Sequence, residues 1–258
     1  LMVPACIFEA FFLPAAHGQR FCIYHAPPPG TPLRGALVYL HPFAEEMNRS
    51  RRMAALQARA FAAEGYAVLG VDLLGCGDSS GDFGDATWAD WLDDVVLAYC
   101  WLQQRVGIDV PLWLWGLRAG ALLAIDAMRR DALQSVAGLL LWQPVLDGAR
   151  HLDQFLRLKL VGDLLRGEVA SGVAALRQRV QAGEAVEVAG YCLNPELVAG
   201  LDAVRAEIDV RSSQPLRIEC IELSSRLPSE QTAVSPGLLG RIESWSASGL
   251  AAYARAVP

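Results

Sequence analysis

Apolar positions along this chain follow two alternating patterns. Short continuous runs, GALVYL at 35–40, YAVLGV at 66–71, the strand at 112–115 and VAGLLLW at 136–142, read as strands covered on both faces. Between them the spacing turns helical: Met53, Leu56, Ala60 and Phe61 share one face, and Trp88, Trp91, Leu92, Val95, Val96, Tyr99 and Leu102 share another. Asn48 or Ser50 is the expected cap of the first of these helices, Gly65 its stop, and Thr87 stands just before the second. This alternation predicts an α/β fold, a mostly parallel central sheet with helices on both faces.

At the start, 5–13 and 19–25 are rich in aromatic and β-branched residues around a His17-Gly18 turn, predicting an antiparallel pair. From Asp147 to about Arg211 the pattern becomes wholly helical, which predicts a lid folded over the carboxyl ends of the strands. Residues 216–223 return to strand character, 241–245 are expected to form a last strand, and a short helix should close the chain. The predicted organisation is a core at 1–146, a helical lid at 147–211 and the rest of the core at 212–258.

Composition narrows the possible partners. With 53% apolar and 19% charged residues the chain can fill a core without staples. A net charge of -6 without a basic run argues against nucleic acid and anionic membranes. The cysteines at 6, 22, 76, 100, 192 and 220 are scattered, which predicts reduced thiols, no metal and a cytoplasmic protein. The long apolar stretch 110–128 carries Pro111, Arg118 and Asp126, so it is not expected to span a membrane.

That stretch does hold the most informative residues. Gly116-Leu117-Arg118-Ala119-Gly120 lies between a predicted strand and a predicted helix, with glycines flanking one central side chain. This is the outline of a nucleophile elbow, G-x-S-x-G, with arginine at the serine position. A guanidinium stays protonated and cannot attack a carbonyl. Two roles suit it: a clamp for a carboxylate or phosphate at a helix N-terminus, or a structural ion pair with Glu45 or Glu46.

With these residues in view, the chain resembles the α/β-hydrolase superfamily over almost its whole length. YLHPFAEEMNRSRRM, DLLGCGDSSGDF, LWGLRAGALLA and LWQPVLDGARHLDQFLRLKL are similar to the exosortase A system-associated hydrolase 2 group, associated with bacterial exopolysaccharide and protein-sorting loci. The resemblance implies an oxyanion hole from the backbone N–H groups of Ala119 and Phe43, since Pro42 has none. It also implies a catalytic acid at Asp147 or near Ser224 and a histidine near the end of the chain. No histidine follows His151, and Ser246 and Ser248 stand in that region instead.

An ordinary Ser-His-Asp mechanism is therefore not expected. Two functions remain: hydrolysis of an acyl ester or thioester by water activated at Glu45, Glu46 or His41, or noncatalytic binding of an anionic ligand or a protein of the exopolysaccharide machinery. Cys76 is the one cysteine worth considering as a nucleophile, and Arg157, Lys159 and Arg166 could place cations over Arg118 from the lid.

Overall fold

A computed structural model describes residues 7–167, 172–208, 216–223, 236–247 and 251–257. The opening pair, β1 (Ile7–Pro14) and β2 (Gln19–Ala26), is antiparallel, as its alternating residues require. β3 (Gly35–Leu40), β4 (Tyr66–Val71), β5 (Leu112–Leu117) and β6 (Gly138–Trp142) follow from the continuous apolar runs. With β9 (Arg217–Leu223) and β10 (Ala251–Val257), the sheet runs in the order β1-β2-β4-β3-β5-β6-β9-β10. Beyond β2, which pairs antiparallel with β4, every pairing is parallel.

The crossovers are α1 (Glu45–Ala63), α2 (Trp88–Val106) and α3 (Ala119–Ala127). α1 begins one turn earlier than Asn48 or Ser50 would place it. Ala44 is its cap residue, at φ 49°, and no side chain caps it. Glu45 and Glu46 instead set acidic charge in the first turn, where the helix end is positive. For α2 the expected Thr87 closes a capping box with Asp90. All of α3 is buried, which is why its sequence reads as apolar on every side.

An internal charge pair fixes the first hairpin against α2. Arg20 Nε and Asp94 Oδ1 are 2.6 Å apart with side chains only 3% and 4% exposed. Asp94 also accepts from the Leu74 N–H at 2.8 Å. Burial nevertheless holds the Asp94 carboxyl above its ordinary range, with Arg20 opposing.

Between β6 and β9 lie α4 (Gly148–Leu165), α5 (Val173–Gln181) and α6 (Pro195–Ala203). This segment is not wholly helical. β7 (Glu187–Val188) and β8 (Tyr191–Cys192) form a small hairpin whose two turn residues, Ala189 and Gly190, have φ of 51° and 87°. Two positive φ values in succession suit the twist of a two-residue hairpin.

The carboxyl-terminal expectation also changes. Residues 241–245 lie inside α7 (Pro236–Ala247), where Leu238 and Ile242, four residues apart, are buried on one face. The last described element is a strand and not a helix: β10 pairs in parallel with β9, from Ala251 opposite Arg217 to Val257 opposite Leu223. The expectations for Ser224 and Ser248 fall outside the described residues. Among those residues no helix is long and apolar enough to cross a membrane.

Candidate functional site

The turn from β5 to α3 is sharp because of its two glycines. A Cβ at Gly116 would stand 2.4 Å from the Ala121 Cα, and one at Gly120 would stand 2.2 Å from the Leu40 carbonyl oxygen and 2.6 Å from that of His41. Gly120 thus lets the elbow pack directly against the end of β3. Arg118, between them, has φ 55° and ψ -118°, a region that costs a non-glycine residue about 1–3 kcal/mol. Its backbone is clamped on both sides: its N–H donates to the Trp142 carbonyl at 2.9 Å, and its carbonyl accepts from Val145 at 3.1 Å.

A second residue is held in nearly the same conformation. Ala44, at φ 49° and ψ -125°, ends the loop after β3 and starts α1. The two strained turns bring Arg118 to Glu46, with Nη2–Oε1 3.2 Å and Nε–Oε1 3.3 Å. The pair is 32% and 29% exposed, so it is partly hydrated and not a locked interior bridge. Of the two glutamates offered by the sequence, Glu46 is the partner.

Glu45 has a different environment. Its Oε2 is buried without a hydrogen bond, and burial, followed by the opposing effect of a backbone bond and then repulsion from Glu46, leaves its carboxyl above the ordinary range. Among the described residues, neither the Phe43 nor the Ala119 N–H has a hydrogen-bond partner. Both remain available to an anion, Ala119 at the first turn of α3. A cleft of about 470 Å³ opens beside Ala44, lined by Met47, Arg51, Cys76, Asp78 and, from the β8 strand, Tyr191.

His41 is placed elsewhere. Its Nδ1 is 2.8 Å from the Pro42 carbonyl and its Nε2 accepts from the Leu73 N–H at 3.3 Å. Both ring nitrogens are therefore occupied by backbone, and burial lowers its pKa, which keeps the ring neutral. Asp147 caps α4 through the Arg150 N–H at 2.9 Å and pairs with Arg205 at 3.1 Å. Cys76 is buried and its thiol is pushed well up, so it carries no thiolate. Lys159 and Arg166 pair with Asp163.

The residue that sequence reasoning passed over is His151. It sits in the first turn of α4, 6% exposed, with its ring 5.8 Å from that of Phe43 and perpendicular to it. Neither ring nitrogen has a hydrogen-bond partner. Burial first, and Arg118 after it, lower its pKa to about 4 against the opposing field of Glu46. Its sequence signal was only a lone histidine in a helical segment; proximity to Arg118 and Glu46 comes from α4 packing back on the elbow. Among the described residues no group of three or more His, Cys, Asp or Glu converges to hold a metal ion.

A parallel sheet with a strained strand-to-helix turn at the end of its central strand defines the α/β-hydrolase fold. The chain belongs to the family described as Serine aminopeptidase, S33, whose profile matches residues 31–203. No curated protein matches it significantly. Solved structures agree in fold. Est1E from Butyrivibrio proteoclasticus, with ferulic acid bound, is 16% identical over 96% of this chain and 89% of its own, with a TM-score of 0.67. A thermostable carboxyl esterase from Bacillus coagulans, in complex with glycerol, is 15% identical over 98% and 91%, with a TM-score of 0.65. A soluble variant of monoglyceride lipase from Saccharomyces cerevisiae is 13% identical over 86% and 79%, with a TM-score of 0.58.

Proposed function

We propose that this protein hydrolyses an acyl ester or thioester bond with an activated water in place of a protein nucleophile. Arg118 occupies the elbow position where a serine would stand, and the sequence supplies no histidine beyond His151 for a Ser-His-Asp triad. What carries the reading is the set of uncommitted polar groups at that corner: the Phe43 and Ala119 amides, the buried Glu45 Oε2 and both nitrogens of His151. Buried polar groups are ordinarily paired, and a set of unpaired donors and acceptors beside a cation suits a substrate that develops negative charge.

In this mechanism the carbonyl oxygen lies toward the two amides, and Glu45 takes a proton from water as the water attacks the carbonyl carbon. The tetrahedral oxyanion is held by the amides and the field of Arg118. Collapse expels the alcohol or thiol, which receives the proton from Glu45, and leaves the acid. A raised Glu45 pKa suits this role, because a stronger base accepts the proton more readily. The esterase neighbours support the substrate class, and the resemblance to exosortase-associated hydrolases supports a setting in exopolysaccharide production.

Against binding without turnover, Arg118 is already neutralised by Glu46, a carboxylate that an anionic ligand would have to displace. Initial rates on short- and long-chain acyl esters and thioesters distinguish the two. Turnover above background that Glu45→Gln loses supports hydrolysis. Absence of turnover on every substrate, with saturable carboxylate binding that Arg118→Ala removes, replaces it with the binding function.

A further inference from the structure

A second cavity, of about 200 Å³, lies between α1 and the β2-β4-β3-β5 part of the sheet. Its origin is visible in the register. Ile23 pairs with Gly70, Gly70 with Tyr39, and Tyr39 with Trp115, forming one row across β2, β4, β3 and β5. Gly70 leaves a gap in the middle of that row. Above it α1 presents Ala54 and Ala58, too small to fill the space.

Three of the lining side chains carry a buried polar atom with no hydrogen-bond partner, Trp115, His25 and, through its hydroxyl, Tyr39. Trp115 is fully buried and its Nε1–H has no acceptor, while His25 is 5% exposed and its Nδ1 has no partner. An indole N–H can only donate, and among the described residues no acceptor reaches it. The two charged groups that line the cavity, Arg51 and Asp72, are paired with each other at 2.8 Å, so neither is free to neutralise a charged occupant. Tyr39 and Trp115, with centroids 4.5 Å apart, form an aromatic wall.

We infer that this cavity is a binding site for a small uncharged molecule with an apolar, preferably aromatic, body and a hydroxyl or carbonyl oxygen that accepts from Trp115. His25 is the second hydrogen-bonding group. The site shares Met47 and Arg51 with the cleft beside Ala44, but it does not depend on the reaction proposed there.

The test uses the full chain labelled with ¹⁵N at tryptophan, the Trp115 indole peak being assigned by its loss in Trp115→Phe. The probes are 4-methylphenol, toluene and 4-methylbenzoate. Binding of 4-methylphenol should be saturable and should move the Trp115 N–H resonance. Toluene, lacking the acceptor, should bind about tenfold more weakly, and 4-methylbenzoate should not bind. Gly70→Val should abolish binding while the protein stays folded, because a Cβ there meets nothing nearer than 3.8 Å. Gly70→Ala, which adds only that Cβ, should weaken binding as a gentler filling of the same gap. No saturable binding of 4-methylphenol, equal binding of toluene, a stationary Trp115 resonance, or undiminished affinity in folded Gly70 variants would each overturn the inference; the first would leave the cavity to water.

Discussion

The burial of His151 should make this protein acid-sensitive by a calculable amount. In the unfolded chain a histidine titrates near its ordinary value of 6.5, whereas the folded protein holds His151 at about 4. The unfolded state therefore binds more protons between these values, and stability contributed by the neutral ring falls as pH drops from above 6.5 toward 4. At pH 4.5 the linkage amounts to about 2.5 kcal/mol, and at pH 7.5 to almost nothing. His151→Phe keeps a ring against Phe43 and removes the titration. Urea unfolding at the two pH values should show wild type losing about 2.5 kcal/mol more than the variant on acidification. The double difference matters because His25 and His41 are also held down by burial and shift both proteins alike. Glu46 and Arg118, whose fields reach His151 with opposite signs, are likewise present in both. Equal pH dependence in the two proteins would refute the reasoning and would mean that a hydrogen bond or water stabilises the imidazolium in the folded state.

Four further outcomes follow from the geometry. Arg118→Ala should change stability by only about 1 kcal/mol, because the Glu46 pair is about one-third exposed, which chemical denaturation can measure. Arg118→Ser alone should remain unlabelled by a fluorophosphonate probe, since a serine without an oriented imidazole is not activated. Arg20→Met should destabilise by about 3–5 kcal/mol in thermal or urea unfolding, because it strands the buried Asp94. If Glu45 is the base, log kcat/KM should fall with decreasing pH through a value above the ordinary carboxylate range, since only the ionised form accepts a proton, and Glu45→Gln should remove turnover.

Continuous apolar runs separated by helical spacing were sufficient for the sheet and its crossovers, because a doubly covered parallel strand must be apolar on both faces. Gly116 and Gly120 were legible as a tight turn because no other residue fits where a Cβ would strike backbone. Local pattern was a poorer guide at the carboxyl end. Residues 241–245 fit a short strand taken alone, but Leu238 and Ile242 bury one helical face, and the alanine-rich 251–257 becomes a strand beside β9. The cap of α1 was misplaced for a related reason: its start at Glu45 is set by the strained turn at Ala44, not by a polar cap.

The candidate site divides in the same way. From its own sequence the protein determines that Arg118 stands in a tight strand-to-helix turn between two glycines and that two glutamates follow β3. Only the tertiary structure decides that Glu46 and not Glu45 meets Arg118, that backbone groups occupy both nitrogens of His41, and that His151 packs against Phe43. Spacing along a chain fixes which side chains share one element, whereas pairing between elements depends on how their backbones approach, and here that approach is set by two glycines and two strained residues.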